Sequence, residues 1–246
     1  MAERDEIVSY CDELLDADAF EDYCPNGLQV EGKRRVDRIV SGVTASQALV
    51  DAAVAAGADL ILVHHGYFWR GEPAPVVGMK ARRLRALLGA EMNLVAYHLP
   101  LDAHPELGNN RRLGLGLGFG DGRPITGLVW GVDLDEPLAP DQLSSRIEQA
   151  VGRRALRVGP EKALRRIAWC TGAAQGMIDQ AAAAGCEAFI SGEISEQTLH
   201  QANELDISYF AAGHHATETF GVRALGEALA ERFDVQHTFI NLENPA

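Results

Sequence analysis

The sequence lacks several features that would assign it directly to a functional class. Its 246 residues include 22 Lys and Arg against 35 Asp and Glu, which gives a formal net charge of −13. Proteins that grip nucleic-acid backbones carry an excess of basic residues, so this balance argues against a nucleic-acid partner. The glycines between Gly114 and Gly120 match neither a P-loop nor Gly-x-Gly-x-x-Gly, so no phosphate-binding loop is predicted.

Cysteines and long apolar runs are also scarce. The four cysteines are scattered without Cys-x-x-Cys spacing, which is typical of reduced, packed cysteines in a cytosolic protein. No apolar run approaches the roughly 20 residues that a membrane-spanning helix needs. Residues 1–6 are acidic and do not resemble a secretory signal. We therefore expect a cytoplasmic protein with no membrane partner.

The most informative segment is an apolar run that ends in two histidines. Residues 60–63 read Leu-Ile-Leu-Val and lead directly into His64, His65 and Gly66. Such a run is typical of a strand buried on both faces of a parallel sheet. In open α/β sheets, ligands bind just beyond the carboxyl ends of the strands. His64 and His65 are therefore candidate site residues, and the alternative is one packed and one solvated histidine.

The second half of the chain resembles the first at an offset of 128 residues. This offset pairs Gln47 with Gln175 and Gly57 with Gly185, and each copy reads as strand, helix, strand. The predicted fold class is α/β, with two similar α/β halves from an internal duplication and a dinuclear metal site between them. The predicted halves are residues 1–125 and 126–246, and the C-terminal tail is a candidate to pack back on the first half.

Each half also contains a histidine followed four residues later by a carboxylate. His98 and Asp102 follow the third strand of the first half, and His214 and Glu218 follow the corresponding strand of the second. Pro100 predicts a turn rather than a helix between His98 and Asp102. With His64 and His65, the set suits zinc, iron, manganese or nickel without selecting one. Six ligands exceed what one catalytic ion takes, so we expect two divalent ions per chain.

Further candidates lie beside these residues in the sequence. Glu193 aligns with His65 and is a candidate general base or partner of a metal ligand, with a solvated glutamate at a helix start as the alternative. An irregular segment follows the two histidines and is predicted to form a loop over the site. Its candidate substrate or lid residues are Tyr67, Trp69 and Arg70, with core packing as the alternative for the two aromatic rings. Histidines that could line the site, but for which a structural role is the favoured interpretation, are His104, His200 and His215.

Five segments in order resemble one known family. They are residues 26–32, 63–69, 98–104, 191–197 and 213–218, and they resemble the GTP cyclohydrolase 1 type 2 homologs. This family comprises the Nif-three-like dinuclear metal-centre proteins, and the similarity is closest to its bacterial YbgI-type members. The resemblance implies paired α/β domains in a toroidal homohexamer. It also implies opening of the guanine imidazole ring of GTP by metal-activated water, and a set of metal ligands consisting of His64, His65, His98, Asp102, His214 and Glu218.

Three functions follow from these patterns. The first is a dinuclear metal-dependent hydrolase that acts on a small anionic or heterocyclic metabolite, since open coordination is typical of catalytic ions. The alternative is a metal-binding toroidal scaffold or regulatory protein whose ions are structural. The third, a ring that threads single-stranded DNA, agrees poorly with the acidic net charge.

Overall fold

The computed structural model describes residues 1–246 and divides them into two compact units. The first contains Met1–His104 and Gly221–Leu242, and the second contains Pro105–Phe220 and Glu243–Ala246. The predicted halves met at residue 125, so the structure assigns residues 105–125 to the second unit instead of the first. The physical reason is apolar packing, because Leu113 belongs to the same buried core as Trp169.

The secondary structure alternates strands and helices along most of the chain. Up to residue 104 the elements are β1 (Ala2–Glu3), α1 (Arg4–Leu15), β2 (Gly27–Val30), β3 (Arg35–Val36), β4 (Arg38–Thr44), α2 (Gln47–Ala55), β5 (Leu60–His65), α3 (Gly78–Gly89), β6 (Asn93–Ala96) and α4 (Leu99–Ala103). From there to residue 217 they are α5 (Asn109–Gly116), β7 (Arg123–Thr126), β8 (Val129–Leu138), α6 (Pro140–Val151), β9 (Leu156–Val158), β10 (Leu164–Trp169), α7 (Ile178–Ala183), β11 (Ala188–Ser191), α8 (Glu196–Glu204), β12 (Ser208–Ala211) and α9 (His214–Thr217). The chain ends with α10 (Thr219–Phe233) and β13 (Gln236–Phe239), and short 3₁₀ helices span Ala17–Ala19 and Gln175–Met177.

The first unit is built on a five-stranded sheet in the order β13-β4-β5-β6-β2. Strands β13, β4, β5 and β6 are parallel, and β2 runs antiparallel to β6. The predicted strand β5 is confirmed, and its four apolar residues 60–63 are fully buried. Helix α2 begins at Gln47, where the Ser46 hydroxyl accepts the Leu49 N–H at 3.2 Å. Because β5 and β6 are parallel neighbours, the residues that follow them lie at the same edge of the sheet.

The second unit is built on a six-stranded sheet in the order β7-β8-β10-β11-β12-β9. Its centre, β10, β11 and β12, is parallel, and the flanking strands are antiparallel. Alternate residues of β10 enter two different cores, with Ile167 and Trp169 in one and Ala168 in the other. None of the helices in either unit has both the length and the apolar character needed to cross a bilayer.

Candidate metal centre

Strands β5 and β6 place three imidazoles together in the first unit. His64 and His65 end β5, and His98 follows β6, so all three lie at the carboxyl edge of the sheet. Their ring centroids are 4.7 to 5.7 Å apart. One ring nitrogen of each lies within 4.8 Å of the others. Two ligands of one zinc ion are at most about 4.2 Å apart, so these three nitrogens could hold a metal ion after small side-chain adjustments.

The Nδ1 atom of each of these rings is engaged by a protein acceptor or hydroxyl. His64 donates from Nδ1 to the backbone carbonyl of Tyr97 at 2.9 Å, and His65 Nδ1 shares a hydrogen bond with Thr44 Oγ1 at 3.2 Å. His98 donates from Nδ1 to the Asp22 carboxylate at 2.7 Å. A histidine whose Nδ1 donates a proton keeps its acceptor lone pair on Nε2. The rings of His64 and His98 are therefore suited to bind a metal through Nε2, and His65 is suited in the same way when its Nδ1 donates to the Thr44 hydroxyl.

Asp102 adds a buried carboxylate to this group. It lies in helix α4, and its Oδ1 is 3.5 Å from Nε2 of His64. Two ligands about 2.1 Å from one ion are about 3.0 Å apart at a right angle and about 3.4 Å apart at the tetrahedral angle. The distance between Asp102 and His64 is close to the tetrahedral value, so the two side chains could share an ion.

The turn predicted from Pro100 is wrong, because the residue lies in the first turn of α4, where a helix tolerates proline.

The second unit brings a histidine and two carboxylates together. His214 begins α9, its Nδ1 donates to Glu193 at 2.7 Å, and its Nε2 is 3.1 Å from the buried Glu218 carboxylate. Burial lowers the pKa of His214, but the charges and hydrogen bonds of Glu218 and Glu193 outweigh it and raise the pKa to about 9. This group therefore retains a cation at neutral pH. A divalent ion can supply that charge instead of the proton.

Gly172 leaves room for the Glu218 carboxylate. It adopts φ +70°, and a Cβ atom at this position would lie 2.2 Å from Oε1 of Glu218 and 3.4 Å from Nε2 of His214. The Gly172 N–H donates to the Thr217 hydroxyl at 3.1 Å, which holds this backbone against α9. The space around the carboxylate is thus created by the absence of a side chain, and the donor set fits a divalent ion.

A second group in the first unit is a poor metal site. Asp22, Cys24 and His98 also offer ligand atoms within 4.8 Å of one another. Burial, reinforced by the charge of Asp22, raises the pKa of the Cys24 thiol to about 12, whereas metals bind the thiolate. Burial opposes ionisation of Asp22, but hydrogen bonds from His98, Asn26 and Leu99 outweigh it and lower its pKa to about 2. Its carboxylate is already committed to these donors.

The three predicted lid residues differ in their surroundings. Tyr67 is only 6% exposed and belongs to the apolar core of the first unit, which agrees with the alternative of core packing. Trp69 is half-buried, with its ring centroid 5.1 Å from that of His98 and 5.9 Å from that of His65. Arg70 is exposed, and its guanidinium donates to the backbone carbonyl of Asp22 at 3.0 Å. The segment thus places Trp69 beside the imidazoles, and it places Arg70 against the backbone of Asp22.

The remaining histidines and one missed residue complete the comparison with the sequence. The side chain of His200 is 64% exposed and lies 3.4 Å from Glu196 on helix α8, which agrees with the favoured structural role rather than with a place in the site lining. His215 is half-buried beside His214 in α9, and His104 follows α4. The role of Asp22 could not be predicted from the sequence, because an acidic residue in an irregular segment has no periodicity that could reveal its partner.

The architecture and these groups define the class as a mixed α/β protein whose clustered histidine and carboxylate side chains could hold metal ions. The chain belongs to the Duf34/NIF3 (NGG1p interacting factor 3) family, whose model matches residues 2–245. The family resemblance read from the sequence is thereby confirmed.

Individual relatives are similar along their whole length. A protein of Allochromatium vinosum named GTP cyclohydrolase 1 type 2 homolog is 55% identical over 100% of this chain and 98% of its own length. One of the same name from Escherichia coli (strain K12) is 53% identical, with 98% of each chain covered. Among solved structures, the protein ybgI, described as of unknown function, superposes with a TM-score of 0.94 at 50% identity. TTHA1606 from Thermus thermophilus gives 0.93 at 36% identity, and both comparisons cover 100% of each chain.

Proposed function

We propose that this protein is a dinuclear metal-dependent hydrolase that acts on a small anionic or heterocyclic metabolite. The observation that carries the proposal is the array of three imidazoles at one sheet edge, each with its Nδ1 engaged and a buried carboxylate beside His64. The proposed ligands of the two ions, which are drawn from zinc, iron, manganese or nickel, are His64, His65, His98, Asp102, His214 and Glu218.

The charge of the proposed ligand set supports an anionic or carbonyl-bearing substrate. Four neutral imidazoles and two carboxylates contribute two negative charges, which offset half of the charge of two divalent ions. Such ions supply water activation and polarisation of the attacked group. The chain's own residues shape the rest of the site: the His64 ring is fully buried, and we propose that Trp69 and Arg70 contribute an aromatic ring and a cation to substrate binding.

We also propose that the two units arose by duplication, and the strand registers support this. In the first unit Ile39 faces Leu60, and in the second Ile167 faces Ala188. Both partners are displaced by the same 128 residues that relate the two halves of the sequence. Since a slip of one residue would reverse which side chains are buried, an identical register is a specific similarity.

A hydrogen-bonding pattern repeats at the same offset. The Asp59 carboxylate accepts the backbone N–H groups of residues 37 and 38, and the Glu187 carboxylate accepts those of residues 165 and 166. Asp59 directly precedes β5 and binds the start of β4, and Glu187 directly precedes β11 and binds the start of β10. A common ancestor explains why both the residue type and its partners recur.

Self-assembly into a homohexamer is a further part of the proposal, as the family resemblance implies. Val76, Val77 and Met79 are 52%, 69% and 56% exposed in and next to the segment that follows β5. Clustered exposed apolar side chains are characteristic of protein interfaces. Light scattering should return six times the chain mass of 26.5 kDa, and a monomeric mass would contradict this assembly.

The experiment that tests the function is a hydrolysis screen of the metal-loaded protein with nucleotides, including GTP, cyclic amides and phosphoesters. We expect turnover that is abolished in His64→Ala and Asp102→Ala but retained in His200→Ala, a matched control whose imidazole is largely exposed. Unchanged turnover in His64→Ala after loss of its metal would contradict a metal-dependent hydrolase. Two bound ions with no turnover, together with dissociation of the oligomer when the metal is removed, would instead support the alternative of a metal-binding scaffold.

A further inference from the structure

One carboxylate outside the proposed ligand set is tied directly to a proposed ligand. Asp22 lies between the 3₁₀ helix Ala17–Ala19 and β2, and its side chain is only 2% exposed. Oδ1 accepts the Nδ1–H of His98 at 2.7 Å, and Oδ2 accepts the backbone N–H of Leu99 at 2.9 Å. The Asn26 side chain donates to Oδ2 at 3.0 Å, while its own oxygen accepts the N–H of His98 at 2.8 Å. Asp22 and Asn26 thus hold both the ring and the backbone of His98.

The other two imidazoles of this cluster have neutral partners at Nδ1. His64 uses a backbone carbonyl and His65 a threonine hydroxyl. A carboxylate differs from these because its charge fixes the Nδ1–H tautomer and makes Nε2 a stronger donor to a metal. The effect is greatest where water is excluded, as it is around the Asp22 side chain.

We propose that Asp22 is a positioning residue for His98, which it locks in the tautomer and orientation that present Nε2 to a divalent ion. This inference rests on the proposed metal-dependent function. In the second unit, Glu193 contacts Nδ1 of His214 at the same distance of 2.7 Å, but its side chain is 40% exposed. The buried Asp22 is therefore the carboxylate expected to influence metal affinity more strongly.

Asp22→Asn is the appropriate perturbation because it retains size while removing charge and one acceptor. An asparagine offers a single oxygen to donors that now share two, and its NH₂ group would face an N–H donor. These donors belong to Tyr23, Asn26, His98 and Leu99. Loss of such a partner weakens metal binding by about 10- to 100-fold in characterised sites. Glu21→Gln is the matched control, since it removes the same charge from the adjacent, exposed position.

The test combines zinc affinity with the tautomer of His98. Zn²⁺ would be titrated against a competing chelator in the wild type, Asp22→Asn and Glu21→Gln. We expect affinity about 10- to 100-fold weaker in Asp22→Asn alone. In parallel, ¹⁵N NMR of histidine-labelled, metal-free wild type at pH 8 should show His98 protonated at Nδ1, with the signal assigned by its loss in His98→Gln.

The outcomes separate this inference from the function on which it rests. If the wild type binds neither Zn²⁺ nor, in the same titration, Fe²⁺, Mn²⁺ or Ni²⁺, the proposed function fails. If the wild type and Asp22→Asn bind Zn²⁺ equally, only the positioning role is refuted. If Asp22→Asn does not fold, the NMR measurement on the wild type still tests the positioning role of Asp22. A proton on Nε2 of His98 would refute that role, and a proton on Nδ1 would support it.

Discussion

Gly172→Ala should weaken metal binding by moving a proposed ligand while leaving every ligand side chain in the sequence. The new Cβ would lie 2.2 Å from Oε1 of Glu218, whereas real Cβ atoms essentially never approach closer than 3.0 Å. The carboxylate must therefore shift by about 0.8 Å, about four times the 0.2 Å within which metal–ligand distances are held. Loss of a supporting contact alone costs about tenfold or more in affinity, so we expect at least that loss here.

The φ angle of +70° at Gly172 adds backbone strain of about 1–2 kcal/mol for alanine, and a control must separate strain from the clash. Gly152→Ala serves this purpose because Gly152 has φ +75° and a Cβ there would meet nothing within 4 Å. Both variants should lose the free energy of unfolding that corresponds to the backbone strain, and the clash with Glu218 should add a further loss in Gly172→Ala. Only Gly172→Ala should bind Zn²⁺ more weakly in chelator competition, and equal affinity in the two variants would refute the reasoning.

Two further predictions concern stability. Burial opposes ionisation of Asp59, but hydrogen bonds from the backbone of Asp37 and Arg38 and from the Lys33 side chain outweigh it and hold its pKa below the ordinary 3.8. The contribution of the Asp59 carboxylate to stability is therefore complete above that value and is lost as pH falls through the lower folded pKa. Urea unfolding of Asp59→Asn should show a loss of about 1–3 kcal/mol in the free energy of unfolding at pH 7, and this loss should shrink below pH 3.8. A difference between the two proteins that is independent of pH would contradict this. Tyr67→Phe should change the free energy of unfolding by less than about 1 kcal/mol and leave turnover intact, because the buried hydroxyl has no hydrogen-bond partner. Loss of turnover in this variant would indicate that Tyr67 acts in substrate binding or in a lid.

Strand β5 and the two histidines at its end could be predicted from the sequence, because both depend on the order of neighbouring residues. A continuous apolar run predicts a buried strand, and in β5 it ends at His65 as expected. The mixed α/β class and the family follow from the same local motifs. The helix through Pro100 is not evident from the sequence, because proline restricts the residue before it and yet is tolerated in a first helical turn.

Features that depend on contacts between residues far apart in the sequence could not be predicted from the sequence. Tyr67 and Trp69 are two residues apart in one irregular segment, yet one is in the core and the other beside the imidazoles, and composition does not distinguish them. The bond from His98 to Asp22 joins residues 76 positions apart. The end of the first unit near residue 104 depends on Leu113 packing in the core that contains Trp169, a contact that only the folded chain reveals.

The most direct test of the central claim is the metal content of the wild-type protein, measured by elemental analysis after purification and again after reloading with Zn²⁺, Fe²⁺, Mn²⁺ or Ni²⁺. A dinuclear centre predicts about two ions per chain, because six ligands exceed the requirement of one catalytic ion. Fewer than one ion per chain after reloading with each of these metals would contradict it.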